Sequence, residues 1–160
     1  MKYKLLVIAA VATILFNCSD NKVANNSAGT DNSSKEKLAE KFGLTLFELE
    51  NGIGPIKEKL ILGPLDIEMA SKGQNLFEEK CASCHKLDER FTGPAQRDVF
   101  ERRTPEYIMN MILNPEEMIA KHPEVKKMLA IYMTSMTFQN VSQEQAREIL
   151  EYFRKVDKEK

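Results

Sequence analysis

The sequence is poor in side chains that bind metals through sulfur or nitrogen. Its 160 residues include three cysteines and two histidines. Cys81 and Cys84 form a C-x-x-C pair, which is the spacing of half a structural zinc site. Such a site needs two more ligands, and apart from His85 the chain contains only Cys18 and His122 as further Cys or His residues. A zinc site is therefore disfavoured, although it stays open as an alternative.

Patterns of β-strands and an excess of one charge are also missing. A thioredoxin-like dithiol pair belongs beside strands in a βαβ unit, so the helical flanks of the C-x-x-C pair disfavour that alternative. Lys and Arg total 23 against 24 Asp and Glu, which gives a formal net charge of −1. Nucleic-acid-binding domains carry a basic patch or a high pI, and we expect no nucleic-acid partner.

Apolar runs are short, and the main one lies at the N-terminus. Leu5–Phe16 is apolar and follows two lysines, but it is shorter than the ~20 residues that span a bilayer. We interpret residues 1–18 as an export signal. Leu15-Phe16-Asn17-Cys18 resembles the lipobox of bacterial lipoproteins, which implies acylation of Cys18 and anchoring on the periplasmic side of a bacterial membrane. A plain secretory signal or an uncleaved anchor is the alternative.

Residues 19–65 contain little that indicates chemistry. Residues 19–34 are rich in Asn, Ser, Gly and Asp, too polar to bury a core, and we predict a flexible tether there. Residues 35–65 form a predicted N-terminal extension, with a helix over 35–42 that Gly43 ends. We expect this extension to pack loosely on the following domain or to present a surface to a partner.

The sequence does contain the pentapeptide Cys81-Ala82-Ser83-Cys84-His85. C-x-x-C-H is the pattern of a c-type haem attachment site. Two thiols one helical turn apart can add to the two haem vinyl groups, and the adjacent imidazole can bind the iron. The pattern predicts one covalently bound haem c, with His85 as an iron ligand.

Every periodic segment from residue 66 onward is helical. Asp66 is the predicted N-cap of the helix that leads into Cys81, and Thr104 and Ser142 are predicted N-caps of later helices. A further helical stretch is predicted within residues 118–133, with Pro123 near its start. These patterns predict one all-α domain over residues 66–160.

Gly93-Pro94 and three arginines could support a haem. The carbonyl of Pro94 can accept a hydrogen bond from the second nitrogen of a metal-bound His85, although Gly-Pro could also be only a turn. Guanidinium groups match carboxylate geometry, so Arg97, Arg102 and Arg103 could pair with haem propionates. A simple exposed basic face is the alternative.

The sixth iron ligand has several candidates. Met136 lies in a loop between two predicted helices, where its sulfur could reach the iron. Met133, Met128, His122 and an open site are the alternatives. We interpret His122, which precedes a proline, as a solvated residue at a helix start.

Residues 66–156 resemble a monohaem class I cytochrome c, on the basis of the attachment motif, the Gly-Pro and the methionine loop. The resemblance implies a fold of three to five helices around one haem. It also implies that Gly73 and Phe77 pack against Leu150 and Phe153 of the last helix. The site residues that it implies are the thioether residues Cys81 and Cys84, the proximal ligand His85, the carbonyl of Pro94 and the distal ligand Met136.

The resemblance further implies a single-electron carrier rather than an enzyme. Its donor would be a membrane quinol oxidase, and its acceptor a reductase or a terminal oxidase. The alternative is a haem protein with an open or labile sixth site for small-ligand sensing or peroxide chemistry, although no acid–base histidine lies near Met136 in sequence. A third hypothesis is a relay subunit fixed in a larger complex, with residues 35–65 as its contact surface.

Overall fold

Eight helices make up the regular structure of residues 27–159, the part of the chain that a computed structural model describes. No strand occurs in that range, which confirms the all-α prediction. Residues 66–159 contain six of the helices, one above the predicted range of three to five, and this count includes the four-residue α4. The helices are α1 Ser27–Phe42, α2 Leu46–Asn51, α3 Ile67–Lys80, α4 Val99–Arg102, α5 Pro105–Leu113, α6 Pro115–Lys121, α7 Pro123–Tyr132 and α8 Gln143–Val156.

The predicted helix starts are correct where a capping side chain is present. Asp66, Thr104 and Ser142 each accept a hydrogen bond from the backbone N–H three residues further on. The helical stretch predicted within residues 118–133 is confirmed by α7, which starts at Pro123. Helix α6 ends just before it, and the two helices meet at His122. That residue has extended backbone (ψ 123°), since a residue before proline is disfavoured in the helical conformation.

Helices α3 and α8 cross in direct backbone contact. A Cβ on Gly73 would lie 1.9 Å from the carbonyl oxygen of Glu148, so this crossing requires glycine. Next to it, the rings of Phe77 and Phe153 pack edge to face, with centroids 5.6 Å apart. The expected pairing of the two helices is confirmed, with one change. Gly73 meets the backbone of α8 at Glu148 and Ile149, while Leu150 packs in the core beside Phe77.

The core lies around this crossing and beneath α5. Apolar side chains of α5 and α8 form most of it, and Phe77 completes it from α3. Leu60 and Leu62 of the N-terminal extension pack against the same core. Its fully or nearly fully buried members include Ile108, Met109, Ile149, Leu150, Phe153 and Val156.

The N-terminal extension does not pack loosely, contrary to our expectation. The buried side chain of Asn110 in α5 makes four hydrogen bonds with the backbone of residues 51–56. Its Oδ1 accepts from the N–H of Ile56 at 2.9 Å, and its Nδ2 donates to three carbonyls. Ile53 and Ile56 are themselves buried. Because this bonding replaces water at buried peptide groups, the extension is an integral part of the fold.

Two further buried polar residues hold the extension in place. The carboxylate of Glu106 accepts from the N–H of Leu60 at 2.6 Å and lies 3.4 Å from the ammonium of Lys59. His122 is 0% exposed, and its Nε2 lies 3.0 Å from the carbonyl oxygen of Leu49. The interpretation of His122 as a solvated residue is therefore wrong, because α2 covers it.

The first described helix extends further toward the N-terminus than predicted. Helix α1 begins at Ser27, so residues 27–34 are helical and the predicted tether is wrong over that range. Ser and Asn cost less than about 1 kcal/mol per residue in a helix, and extending a helix already formed by residues 35–42 needs no new nucleation. Residues 1–26, including the predicted signal and Cys18, lie outside the described residues, as does residue 160. Between 27 and 159, no helix has the length and apolar character needed to cross a membrane.

Candidate functional site

The pentapeptide forms a tight turn at the end of α3. Cys81 is the C-cap of that helix, with its N–H donating to the carbonyl oxygen of Phe77 at 2.9 Å. The N–H groups of Cys84 and His85 both donate to the carbonyl oxygen of Cys81, at 3.0 and 2.9 Å. The turn therefore holds both cysteines and His85 within one compact unit.

Both thiols of the turn are free. Cys81 is half-buried and Cys84 is exposed, and neither forms a disulfide. Burial raises the pKa of Cys81 to about 11, so its sulfur is a thiol at neutral pH. Cys81 therefore does not have the lowered pKa that makes a cysteine reactive as a thiolate.

The imidazole of His85 is fixed by the segment that follows it. Its Nδ1 lies 3.0 Å from the carbonyl oxygen of Pro94, so Nδ1–H donates and the lone pair of Nε2 is left for a metal. Burial lowers the pKa of His85, and the hydrogen bond to Pro94 opposes that shift in part. The ring is therefore neutral at pH 7, which is the form that binds iron.

Gly93 is the residue against which this ring packs. A Cβ at position 93 would lie 2.4 Å from Cε1 of His85 and 2.7 Å from its Nδ1. The N–H of Gly93 also donates to the carbonyl oxygen of Cys84 at 2.8 Å. Gly93-Pro94 is thus more than a turn, because it supplies both the space and the acceptor for the imidazole.

Gln96 is a site residue that the sequence did not reveal. Its Nε2 donates to the carbonyl oxygen of Pro94 at 2.8 Å and lies 2.8 Å from Nδ1 of His85. With the Nδ1 proton on the bond to Pro94, Gln96 serves as a second donor to that carbonyl. Backbone bonds from Gln96 to Lys86 (3.0 Å) and from Arg97 to Leu87 (2.8 Å) close the loop. A polar residue two places after Gly-Pro carries no signal of such a role.

The candidates for the sixth ligand lie in different environments. Met136 is half-buried in residues 133–142, which form no helix, in agreement with its predicted loop position. Met133 is the C-cap of α7 and is 83% exposed, whereas Met128 is half-buried within that helix. His122 is buried against α2. Met136 as the distal ligand stays a prediction.

The three arginines all have partners within the protein. Arg97 pairs with Asp88 and donates to the carbonyl oxygen of Val156 at 2.9 Å. Arg102 donates to the carbonyl oxygen of Ala95 at 2.7 Å. The guanidinium of Arg103 lies over the ring of Tyr107, 4.8 Å from its centroid. These contacts give each arginine a role in the protein, and pairing with haem propionates stays a prediction.

The residues of the turn suit a covalently attached haem. Two unpaired thiols lie one turn apart, an adjacent neutral imidazole offers Nε2, and the missing Cβ of Gly93 leaves that imidazole its space. Cys81 and Cys84 would hold the porphyrin and His85 would bind the iron. An all-helical domain with this site defines a class of protein, the c-type haem domain.

Comparison with known proteins identifies the family. The sequence model of the family described as "Cytochrome c" matches residues 70–157. A solved structure, cytochrome c from Rhodothermus marinus, is 48% identical with a TM-score of 0.67, and the match covers 71% of this chain and 97% of that one. An engineered form of that protein, Rma TDE, is 48% identical with a TM-score of 0.65, covering 69% and 96% of the two chains. Among curated proteins, none matches significantly.

The chain therefore belongs to the cytochrome c family, and it is a c-type cytochrome that carries haem c covalently through its C-x-x-C-H motif. The fold resemblance to class I cytochromes c is confirmed. The structural match also reaches beyond the family match. It covers 71% of 160 residues, about 114, whereas only 91 residues lie from 70 to 160. Residues before position 70 thus share the fold of the relative, as the close packing of the extension suggests.

Proposed function

We propose that this cytochrome passes single electrons between membrane or periplasmic redox partners, with His85 and Met136 as the residues that would bind the haem iron. When bound, haem supplies an iron that gains and loses one electron. The protein's task is to keep the surroundings of that iron nearly unchanged between the two charge states. The observation that carries the proposal is the fixed imidazole of His85, held by the carbonyl of Pro94 at 3.0 Å and packed on Gly93.

The hydrogen bond from His85 to Pro94 also affects the electronic properties of the ligand. A carbonyl acceptor at Nδ1 fixes the tautomer and raises the basicity of Nε2. Gln96 donates to the same carbonyl oxygen of Pro94. That oxygen is therefore a weaker acceptor for the N–H of His85. The residues behind the imidazole therefore contribute to the reduction potential without touching the iron.

Met136 is the distal ligand in this proposal because of its location. It is half-buried in a helix-free segment, whereas Met133 is 83% exposed and His122 is held by Leu49. Methionine–histidine ligation raises the reduction potential and suits electron transfer. An open sixth site would instead favour ligand sensing or peroxide chemistry.

Substitution of the methionine tests this proposal. The ferric protein should be low-spin and show the weak near-red charge-transfer band of a methionine–iron bond. Met136→Ala should lose the band and lower the reduction potential, whereas Met133→Ala, the matched control, should keep both. A band that survives in Met136→Ala would reassign the ligand, and a high-spin wild type that takes up carbon monoxide rapidly would favour the open-site alternative.

The location outside the cytoplasm is a second part of the proposal. It is supported by the lipobox-like Leu15-Phe16-Asn17-Cys18. We propose a lipid anchor at Cys18, a quinol-oxidising membrane complex as donor, and a reductase or terminal oxidase as acceptor.

The anchor predicts where the protein is found after cell fractionation. Cys18→Ser should move the haem-containing protein from the membrane to the soluble periplasmic fraction and remove the acyl mass from its N-terminus, since acylation needs the thiol. The protein should keep its haem spectrum in both forms. A Cys18→Ser protein that stays in the membrane fraction would contradict the lipid anchor and favour an uncleaved N-terminal segment.

A further inference from the structure

The segment between α7 and α8, residues 133–142, has few bonds to the rest of the described chain. At its two ends, Met133 and Asn140 have positive φ angles of 54° and 51°. Between residues 134 and 141, Phe138 is the one residue whose backbone N–H donates to a group outside the segment, within the range that the structure describes. Buried Val141 anchors the C-terminal end. The position of Met136 therefore depends on a small number of contacts.

Arg90 makes the contact that precedes Met136. Its Nη2 donates to the carbonyl oxygen of Ile131 at 2.9 Å, and its guanidinium lies over the ring of Tyr132, 4.5 Å from the centroid. A helix leaves its last carbonyls without intrahelical partners, and a cation there also interacts favourably with the helix dipole. Arg90 thus links the loop that supports His85 to the C-terminus of α7.

Glu116 makes the contact that follows Met136. Its Oε1 accepts from the N–H of Phe138 at 3.1 Å. Glu116 lies in the first turn of α6, so this bond ties the segment to a different element from the one that Arg90 reaches. A hydrogen bond to an ionised acceptor is stronger than one between neutral groups. Arg90 thus holds the end of α7 that precedes Met136, and Glu116 holds the backbone that follows it.

We propose that Arg90 and Glu116 are positioning residues that keep residues 133–142 in a closed form, in which Met136 binds the iron. They thereby control how easily Met136 leaves the iron. The inference rests on the proposed role of Met136. The contacts of Arg90 and Glu116 each oppose opening, which is the movement of the segment away from the iron. Once Met136 has moved away, an outside ligand can bind the iron in its place. Loss of either contact raises the open fraction without changing His85 or Met136.

Imidazole binding to the ferric holoprotein measures this opening. Arg90→Ala and Glu116→Ala should each raise the observed binding rate about 2- to 10-fold, the effect of one charge-assisted hydrogen bond at an exposed site. Glu116→Gln keeps an acceptor oxygen and should stay within about twofold of the wild type. The near-red band should remain in all three variants at neutral pH, because the closed form stays predominant.

Exchange of the Phe138 amide proton, followed by NMR in the ferrous protein, gives a readout independent of the iron ligand. It should accelerate in Glu116→Ala and Arg90→Ala. The control variants are Lys127→Ala and Glu68→Ala, whose partners lie in their own helices, at 2.7 Å from Glu124 and 3.2 Å from Lys72. Both controls should match the wild type in imidazole binding and in exchange.

Unchanged imidazole binding and unchanged exchange in Arg90→Ala and Glu116→Ala would overturn the inference. An increase in Glu116→Gln as large as that in Glu116→Ala would also overturn the role of the hydrogen bond. Failure of the ligand assignment looks different, since Met136→Ala would then keep the near-red band. In that case faster Phe138 exchange would still support the role of Arg90 and Glu116 in holding the segment, and control of Met136 release would be wrong.

Discussion

The imidazole of His85 has its space because residue 93 is a glycine. The imidazole occupies the volume that a side chain on residue 93 would need, and its Nδ1 faces the carbonyl of the next residue. Gly93 does not have a positive φ angle, so glycine is required there for space and not for backbone conformation. The site thus requires a residue without a Cβ at position 93.

Gly93→Ala should lower the free energy of unfolding of the holoprotein by about 1–3 kcal/mol, the usual cost of overpacking. The added Cβ would approach Cε1 of His85 at 2.4 Å, and the ring must tilt away from Pro94. Urea unfolding followed by circular dichroism measures the loss, and the reduction potential should shift because the hydrogen bond at Nδ1 weakens.

Gly63→Ala is the matched control for that variant. Gly63 has no atoms within 4 Å of the position of an added Cβ, so alanine there should leave stability within about 0.5 kcal/mol of the wild type. Equal stabilities of Gly93→Ala and Gly63→Ala would show that His85 can move at no cost, and the support proposed for the imidazole would be wrong.

At the scale of elements, helix propensity and packing favour different residues where α3 and α8 cross. Alanine is better than glycine in a helix interior by about 1 kcal/mol, and α3 carries Gly73 in its middle. The reason is the carbonyl of Glu148, which would lie 1.9 Å from an added Cβ. Because that atom belongs to the backbone of α8, no side-chain rotation can relieve the clash.

Gly73→Ala should therefore destabilise the holoprotein by at least about 2 kcal/mol, as overpacking outweighs the gain in helix propensity. The helices must separate, which also disturbs the edge-to-face contact of Phe77 and Phe153 at 5.6 Å. Urea unfolding measures the change against Gly63→Ala. A Gly73→Ala protein as stable as the wild type would mean that the helices do not touch at this point.

The sequence reveals the elements whose signals are local. The caps Asp66, Thr104 and Ser142 act within one turn, and the C-x-x-C-H motif lies within five consecutive residues, so both could be predicted. His122 and Gln96 depend on contacts with distant parts of the chain or on backbone geometry, at Leu49 and Pro94. A polar residue with such a partner has the same appearance in sequence as a solvated one.

The N-terminal extension shows the same limit for a longer segment. Its Asn-Gly and Gly-Pro clusters indicate loops, and such clusters alone give no sign of burial. A loop can nevertheless be buried when another element satisfies its peptide groups. Asn110 does this with four bonds from α5, and a single asparagine in an apolar helix does not reveal its partner in the sequence.

For the whole molecule, the extension and the haem domain are joined through buried polar groups that respond to pH. Burial alone would raise the pKa of Glu106, but the N–H of Leu60 and the ammonium of Lys59 outweigh it and hold the pKa below the usual 4.5. A carboxyl with a lowered pKa in the folded state adds stability above its unfolded pKa. That stability is lost as the pH falls below 4.5 and through the folded value.

Glu106→Gln should thus be less stable than the wild type at pH 7 by about 1–3 kcal/mol, since it leaves Lys59 without its anion and weakens the bond to Leu60. The difference should shrink as the pH is lowered from about 5 to about 3, because only the wild type loses a charge there. Urea unfolding of the holoprotein across this range measures both curves. Glu58→Gln, an exchange at an exposed position of the same segment, should follow the wild type throughout. A gap between wild type and Glu106→Gln that stays constant down to pH 3 would mean that the Glu106 carboxylate does not hold the extension to the haem domain.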